Sequence, residues 1–246
     1  MEYVLYLYTP RLKIARLFAA SLILGRAERI SLLALPYPKE MEEALEKFVK
    51  GLVSWSSFQL RVVNFMGSYG RSWLNLEEPL LLGLKLAFEK NPNLKLLLYG
   101  SLEKEDLKYR VVSELAALAL RARITGRVDV EEWRRVLSWF RKIPPELQIE
   151  ARQAVVIIES KSHVPRGAIL VEALPGYVES PIEKLFSSRI SEQIVGEYVE
   201  YILDYLAKYP SIDCAYFKWV KDKGFKGVIA QLSDYYLKML SAMGER

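Results

Sequence analysis

A chain of 246 residues that is 51% apolar can bury a full core, which excludes general disorder. Its net charge of +5 comes from 35 basic and 30 acidic residues. With one cysteine, Cys214, and one histidine, His163, it offers neither an internal disulfide nor a cysteine- or histidine-rich metal site. The longest strongly apolar stretch, Leu17 to Leu24, is too short to span a bilayer. No basic–apolar–small signal pattern opens the chain. The expected location is cytoplasmic, without membrane association.

Bulky, β-prone Tyr3 to Tyr8 reads as a first strand. Thr9-Pro10 supplies an N-cap and a first-turn proline for a helix over 11–24, which is apolar nearly all round after Arg16. Ile30 to Leu35 reads as a second strand and Lys39 to Leu52 as an amphipathic helix. Phe58 to Phe65 is expected as a third strand, Glu77 to Glu89 as a helix, and Leu94 to Tyr99 as a fourth strand. Glu77-Glu78-Pro79 would then open its helix, with both carboxylates complementing the dipole. This order predicts an α/β fold with a parallel sheet and right-handed crossover helices.

Glu103 to Ile124 and Val130 to Phe140 read as helices, and Pro144-Pro145 opens a helical or mixed segment reaching Ile158. Ala168 to Leu174 is strand-like, and Ser180-Pro181 caps a long helix to about Tyr209. Asp213 to Val220 alternates as a strand before a closing helix over 227–243. The division this suggests is a parallel α/β domain at 1–124, a helical connector at 125–163 and a smaller C-terminal α/β domain at 164–246.

Parallel α/β sheets carry their ligands at the C-terminal ends of the strands. Those ends present Thr9, Asn64 and Gly100-Ser101, and the first 105 residues hold no aspartate, histidine or cysteine. Hydrolysis on a divalent metal needs converging carboxylates or imidazoles, so neither catalytic residues nor a cofactor are expected. Three other groups are candidates for binding. Gly67, Ser68, Gly70 and Arg71 form a glycine-bearing turn before a helix, of the kind that can hold phosphate with backbone N–H groups. Arg121, Arg123, Arg127, Arg134, Arg135 and Arg141 lie in a stretch with nine basic and four acidic residues, suited to weak, non-specific nucleic-acid binding or to a solvated face. Tyr216, Trp219, Tyr235 and Tyr236 are candidates for a partner surface, with core filling as the alternative. Tyr198, Tyr201 and Tyr205 are spaced as a helical core stripe. His163 reads as a surface loop residue, and Arg166 as a strand-mouth cation. Scarce amides, with five Gln and four Asn, lean toward a thermophile.

The order of elements resembles the RecJ-type DHH phosphoesterase superfamily in degenerate form. The residues are Leu5-Tyr6-Leu7-Tyr8-Thr9-Pro10-Arg11 leading into Ala15 to Leu24, Phe58 to Phe65 ending beside Asn64, and Leu96-Leu97-Leu98-Tyr99 running into Gly100-Ser101. Each stands where that family places a metal-ligand motif, and every ligand is replaced. The resemblance implies a DHH-like, Rossmann-like sheet and an inactive archaeal subunit that joins GINS and MCM at the replicative helicase. A small-ligand or nucleotide sensor on the same sheet, and a metal-independent enzyme, are the alternatives.

Overall fold

The structure is a computed structural model, and it describes residues 3–140, 153–161, 164–187, 189–242 and 244. Two compact units divide the chain: residues 1–105 with 145–174, and residues 106–144 with 175–246. The boundaries therefore fall elsewhere than at 124 and 163, and each unit draws on two separate stretches of chain.

Unit 1 holds five parallel strands: β1 (Tyr3–Tyr8), β2 (Leu32–Pro38), β3 (Lys95–Gly100), β4 (Gln153–Ile158) and β5 (Ile169–Glu172). Their order across the sheet is β3-β2-β4-β1-β5. The expected parallel α/β fold is thus present. β4 falls where a helical or mixed segment was expected, and it pairs with β1 on one side and β2 on the other. Ala154 to Ile158 are all buried, as the middle strand of a sheet covered on both faces requires. A short unbroken apolar run such as Ala154 to Ile158 hides a strand, because periodicity alone cannot separate it from a buried helix.

Among the described residues, four α-helices lie wholly within unit 1: α1 (Lys13–Leu24), α2 (Glu42–Val49), α3 (Trp55–Met66) and α4 (Gly70–Lys90). The strand expected at Phe58 to Phe65 is α3. Ser54 caps it, its hydroxyl accepting from the Ser57 N–H at 3.2 Å. Phe58, Val62 and Met66 are buried four residues apart, a helical spacing, and Asn64 stands on a helix rather than at a strand end. α4 begins seven residues before Glu77, so Glu77 and Glu78 sit inside the helix and not at its start. α1 and α4 pack closely: a Cβ on Gly83 would fall 2.4 Å from the Ala20 Cβ. Gly100 is equally constrained, since a Cβ there would stand 2.5 Å from the Pro36 carbonyl oxygen.

Helix α5 (Leu102–Thr125) begins at the end of β3, and unit 2 takes it over from Asp106. Unit 2 continues with α6 (Val130–Phe140), α7 (Pro181–Ser187), α8 (Glu192–Glu200), α9 (Ile212–Asp222) and α10 (Val228–Ala242). The expected strand at Asp213 to Val220 is α9. Ser211 caps it, accepting from the Cys214 N–H at 3.2 Å, and six of those eight residues other than Lys218 and the cysteine are nearly fully buried. Burial almost all round erases the period-two signature that the sequence suggested. Among the described residues unit 2 is entirely helical, so the expected smaller α/β domain is instead a helical one. The long helix expected to Tyr209 is instead two helices, α7 and α8, and α8 runs into a π-helical turn at Tyr201–Leu206.

Candidate functional site

The C-terminal edge of the sheet is where ligands bind in this class of fold. Here it is filled by charge. Arg16, from α1, is fully buried. Its Nε donates to both carboxylate oxygens of Glu77 on α4, at 3.0 and 2.8 Å. Its Nη1 donates to the Thr9 carbonyl at 2.8 Å and to the Thr9 hydroxyl at 2.5 Å. Its Nη2 donates to Glu159, just beyond β4, at 2.6 Å. The Tyr37 hydroxyl, from β2, donates to Glu77 at 2.8 Å. Tyr99, from β3, donates its hydroxyl to the Ile157 carbonyl. At the mouth, Arg11 lies 3.6 Å from Glu105 and 3.7 Å from Glu159. Two guanidiniums thus face three carboxylates.

Thr9 was expected to cap α1. The helix instead starts at Lys13 after Leu12, which makes no side-chain cap, and Thr9 spends its oxygens on Arg16. Its N–H extends the β1–β4 ladder to the Ile158 carbonyl at 2.9 Å.

The electrostatics keep both guanidiniums charged and both phenols protonated. Burial works against the Arg16 charge, but Glu77 and then Glu159 outweigh it and raise its pKa above the ordinary value. Arg11 behaves alike, with Glu159 and Glu105 overcoming burial. Burial, then the Glu77 charge, pushes the Tyr37 phenol well up, and burial with Glu159 does the same to Tyr99. Both phenols remain hydrogen-bond donors. A guanidinium held by two carboxylates and a threonine is a structural ion cluster, since a buried charge persists only when paired and hydrogen-bonded.

The expected phosphate turn follows α3 rather than a strand. Gly67–Tyr69 is a short 3₁₀ turn, and Gly70 opens α4 against α3, where a Cβ would meet the Val63 Cα at 3.1 Å. The Gly67 N–H closes α3 by donating to the Val63 carbonyl. Gly67 and Ser68 are exposed. Arg71 lies on the wall of an open concavity of about 450 Å³, shared with Trp55, Leu60, Val63, Leu74 and Asn75.

The basic residues of unit 2 are mostly engaged. Arg121 pairs with Glu132, Arg123 with Asp204 at 2.6 Å, Arg134 with Glu131, and Arg135 with Glu132 at 3.6 Å. Arg127 carries no side-chain ion pair among the described residues. Arg141 and His163 lie outside the described residues.

Of the four aromatic candidates, Tyr216, Trp219 and Tyr236 are core residues, between 0 and 2% exposed, and only Tyr235 faces outward. The Tyr216 hydroxyl donates to the Val178 carbonyl at 2.9 Å and accepts from the Val178 N–H at 3.1 Å. Tyr216, Tyr201 and Phe225 pack their rings around Trp219. The partner surface expected on these rings is corrected accordingly. Tyr198, Tyr201 and Tyr205 are buried, as a core stripe.

Sequence reasoning passed over the Arg16–Glu77 pair, which spans 61 positions. The signal was available in part. Arg16 is the single charge within Ile14 to Leu24, and a charge on an otherwise buried helix demands a buried partner.

Among the described residues, no three His, Cys, Asp or Glu side chains are grouped so as to hold a metal ion. None of the described helices is long and apolar enough to cross a membrane. No protein-family model matches this sequence, and no curated protein or solved structure is significantly similar to it.

Proposed function

We propose that this protein acts by binding other macromolecules and not by turning over a substrate at its sheet edge. One observation carries the reading. The position where a parallel α/β sheet receives its ligand is occupied by Arg16, whose hydrogen bonds to Glu77, Glu159 and Thr9 leave the edge closed by the protein's own charges. An enzyme's edge needs a group with unspent hydrogen-bonding or nucleophilic capacity aimed at substrate. The test is a nuclease assay with manganese or magnesium on single-stranded DNA and short oligonucleotides. No turnover is expected, and robust turnover that survives repeated purification overturns the reading.

The narrower form of the proposal is a RecJ-like subunit that joins GINS and MCM. It rests on the resemblance, and two of the three segments that carry it, around Thr9 and Gly100, do lie at strand ends, whereas Asn64 does not. Mixing the purified chain with archaeal GINS and MCM and measuring mass by light scattering tests it. Separate migration at micromolar concentration removes the narrower reading and leaves the broader one standing.

A small-ligand reading is favoured by a different feature, the concavity of about 450 Å³ beside Arg71, which is within the usual size range for ligand sites. The concavity's wall sets Arg71 and Glu78 beside apolar Trp55, Leu60 and Val63, which suits a charged group on an apolar body. Thermal shift with a panel of nucleotides and aromatic carboxylates, lost in Arg71→Ala, would favour it over the macromolecular reading.

A further inference from the structure

Helix α5 is apolar on two opposite faces. Val111, Leu115, Leu118, Ala119 and Ala122 are buried in the core of unit 2. On the other side Tyr109, Leu120 and Ile124 are 50, 52 and 75% exposed. Between them stand Ser113, Ala116 and Ala117, none of them buried. A surface helix of a globular domain needs one apolar stripe. A second, exposed one of this length marks a contact with something else.

The layout of this stripe identifies the occupant. Along the helix it runs large, small, large, centred between Ala116 and Ala117. Reversed about that centre, the alanines fall on one another and Leu120 falls over the small Ser113. In an antiparallel pair Tyr109 meets Ile124 of the other copy, Ser113 meets Leu120, and the alanines meet at the centre. Small residues there let the axes approach to about 8 Å. Charge follows the same reversal. Asp106, which also bridges Arg110 at 2.7 Å, marks one end of the stripe. Arg127 stands just past the other end, with no side-chain ion pair among the described residues. Antiparallel pairing sets each Asp106 near the Arg127 of its neighbour and opposes the helix dipoles. Parallel pairing would bring like charges together. Arg121 and Arg123 are already engaged by Glu132 and Asp204 and are not needed.

We propose that the outer face of α5 is a self-association surface, on which a second copy of this chain packs its own α5 antiparallel about a two-fold axis. Such an interface is isologous, with each contact made twice. From Asp106 to Arg127 the seam is about 30 Å long. One helix pair of that length covers less than the ~800 Å² per partner of a standard interface, so the dimer is weak and reversible, in the micromolar range.

Sedimentation velocity on the full chain, from low to high micromolar concentration, reads the proposal directly. A concentration-dependent shift from monomer to dimer is expected. The pair Leu120→Glu with Ile124→Glu should weaken it at least about tenfold, with the circular dichroism spectrum unchanged because both side chains face solvent. Mild oxidation tests the register independently. Ala117→Cys should link to itself across the axis, Tyr109→Cys alone should not, and Tyr109→Cys with Ile124→Cys should. A chain that stays monomeric throughout overturns the proposal and leaves the stripe to a helix of another protein. Self-linking by Tyr109→Cys as efficient as that of Ala117→Cys also overturns it, since that requires a parallel pair.

Discussion

At the scale of single residues, Arg16 decides how the sheet edge behaves. Removing one member of a buried, hydrogen-bonded ion cluster leaves its partners charged and unpaired, at a cost of about 3–5 kcal/mol. Arg16→Met should therefore lower the urea midpoint sharply. Arg16→Met combined with Glu77→Met should recover part of that loss, because it removes the orphaned carboxylate together with the guanidinium. A single-variant loss below about 1 kcal/mol would mean that water reaches the cluster. The tyrosines set a second expectation. Burial raises the phenol pKa values of Tyr37, Tyr99, Tyr198, Tyr201 and Tyr216 above the ordinary value, and that of Tyr205 to about 12. A folded pKa above the unfolded one means that the unfolded chain loses its protons first. This contribution is complete below about pH 10 and is lost as the pH rises beyond it, by up to ~1.4 kcal/mol per pH unit for each buried phenol. Urea titrations across that interval should show the decline. A flat profile, with all tyrosines ionising normally by absorbance while the fold persists, would contradict the burial.

Packing of the helices decides the next scale. Gly83 lies where α4 meets Ala20 of α1, and a Cβ there would overlap the alanine methyl at 2.4 Å. Gly83→Ala should cost about 1–3 kcal/mol through overpacking, despite the better helix propensity of alanine. Adding Ala20→Gly should restore most of it by clearing the methyl. Gly100→Ala has no such partner, because its added carbon would meet the backbone of Pro36 and Tyr37. Midpoints for the three variants separate the cases, and an Ala20→Gly pairing that recovers nothing would show that the helices are held apart by other contacts. The elements also explain what could be read in advance. β1, α1, β2, β3, α6, β5 and α10 carried their own periodicity or punctuation, and the sequence placed all of them. α3 and α9 were mistaken for strands because Leu60-Arg61-Val62-Val63 and Tyr216-Phe217-Lys218-Trp219 are rich in β-branched or aromatic residues. Their true signals lay upstream, at the caps Ser54 and Ser211.

At the scale of the whole molecule, the parallel sheet was legible and its completion was not. Local patterns do not announce that a strand more than a hundred residues downstream inserts between β1 and β2. The ion cluster shares that origin: Thr9, Arg16, Glu77 and Glu159 meet only once β4 has taken its place, so no local motif could name it. The consequence is sharp for any fragment ended where the sequence alone would divide the chain. Residues 1–124 contain β1, β2 and β3 but neither neighbour of β1, since β1 pairs only with β4 and β5 among the described strands. β2 would keep β3 and lose β4. Such a fragment exposes the apolar faces of its strands and leaves Arg16 and Glu77 without Glu159. It should aggregate or remain molten, with no cooperative urea transition and poor amide dispersion in solution NMR. Residues 1–174 supply all five strands and the complete cluster, and should recover the near-ultraviolet dichroism of Tyr37 and Trp73, whose rings meet edge to face at 5.0 Å. Cooperative unfolding of 1–124 with the full-length midpoint would show that β1, α1, β2 and β3 form a self-sufficient sheet, and that the late-arriving β4 decorates the fold instead of completing it.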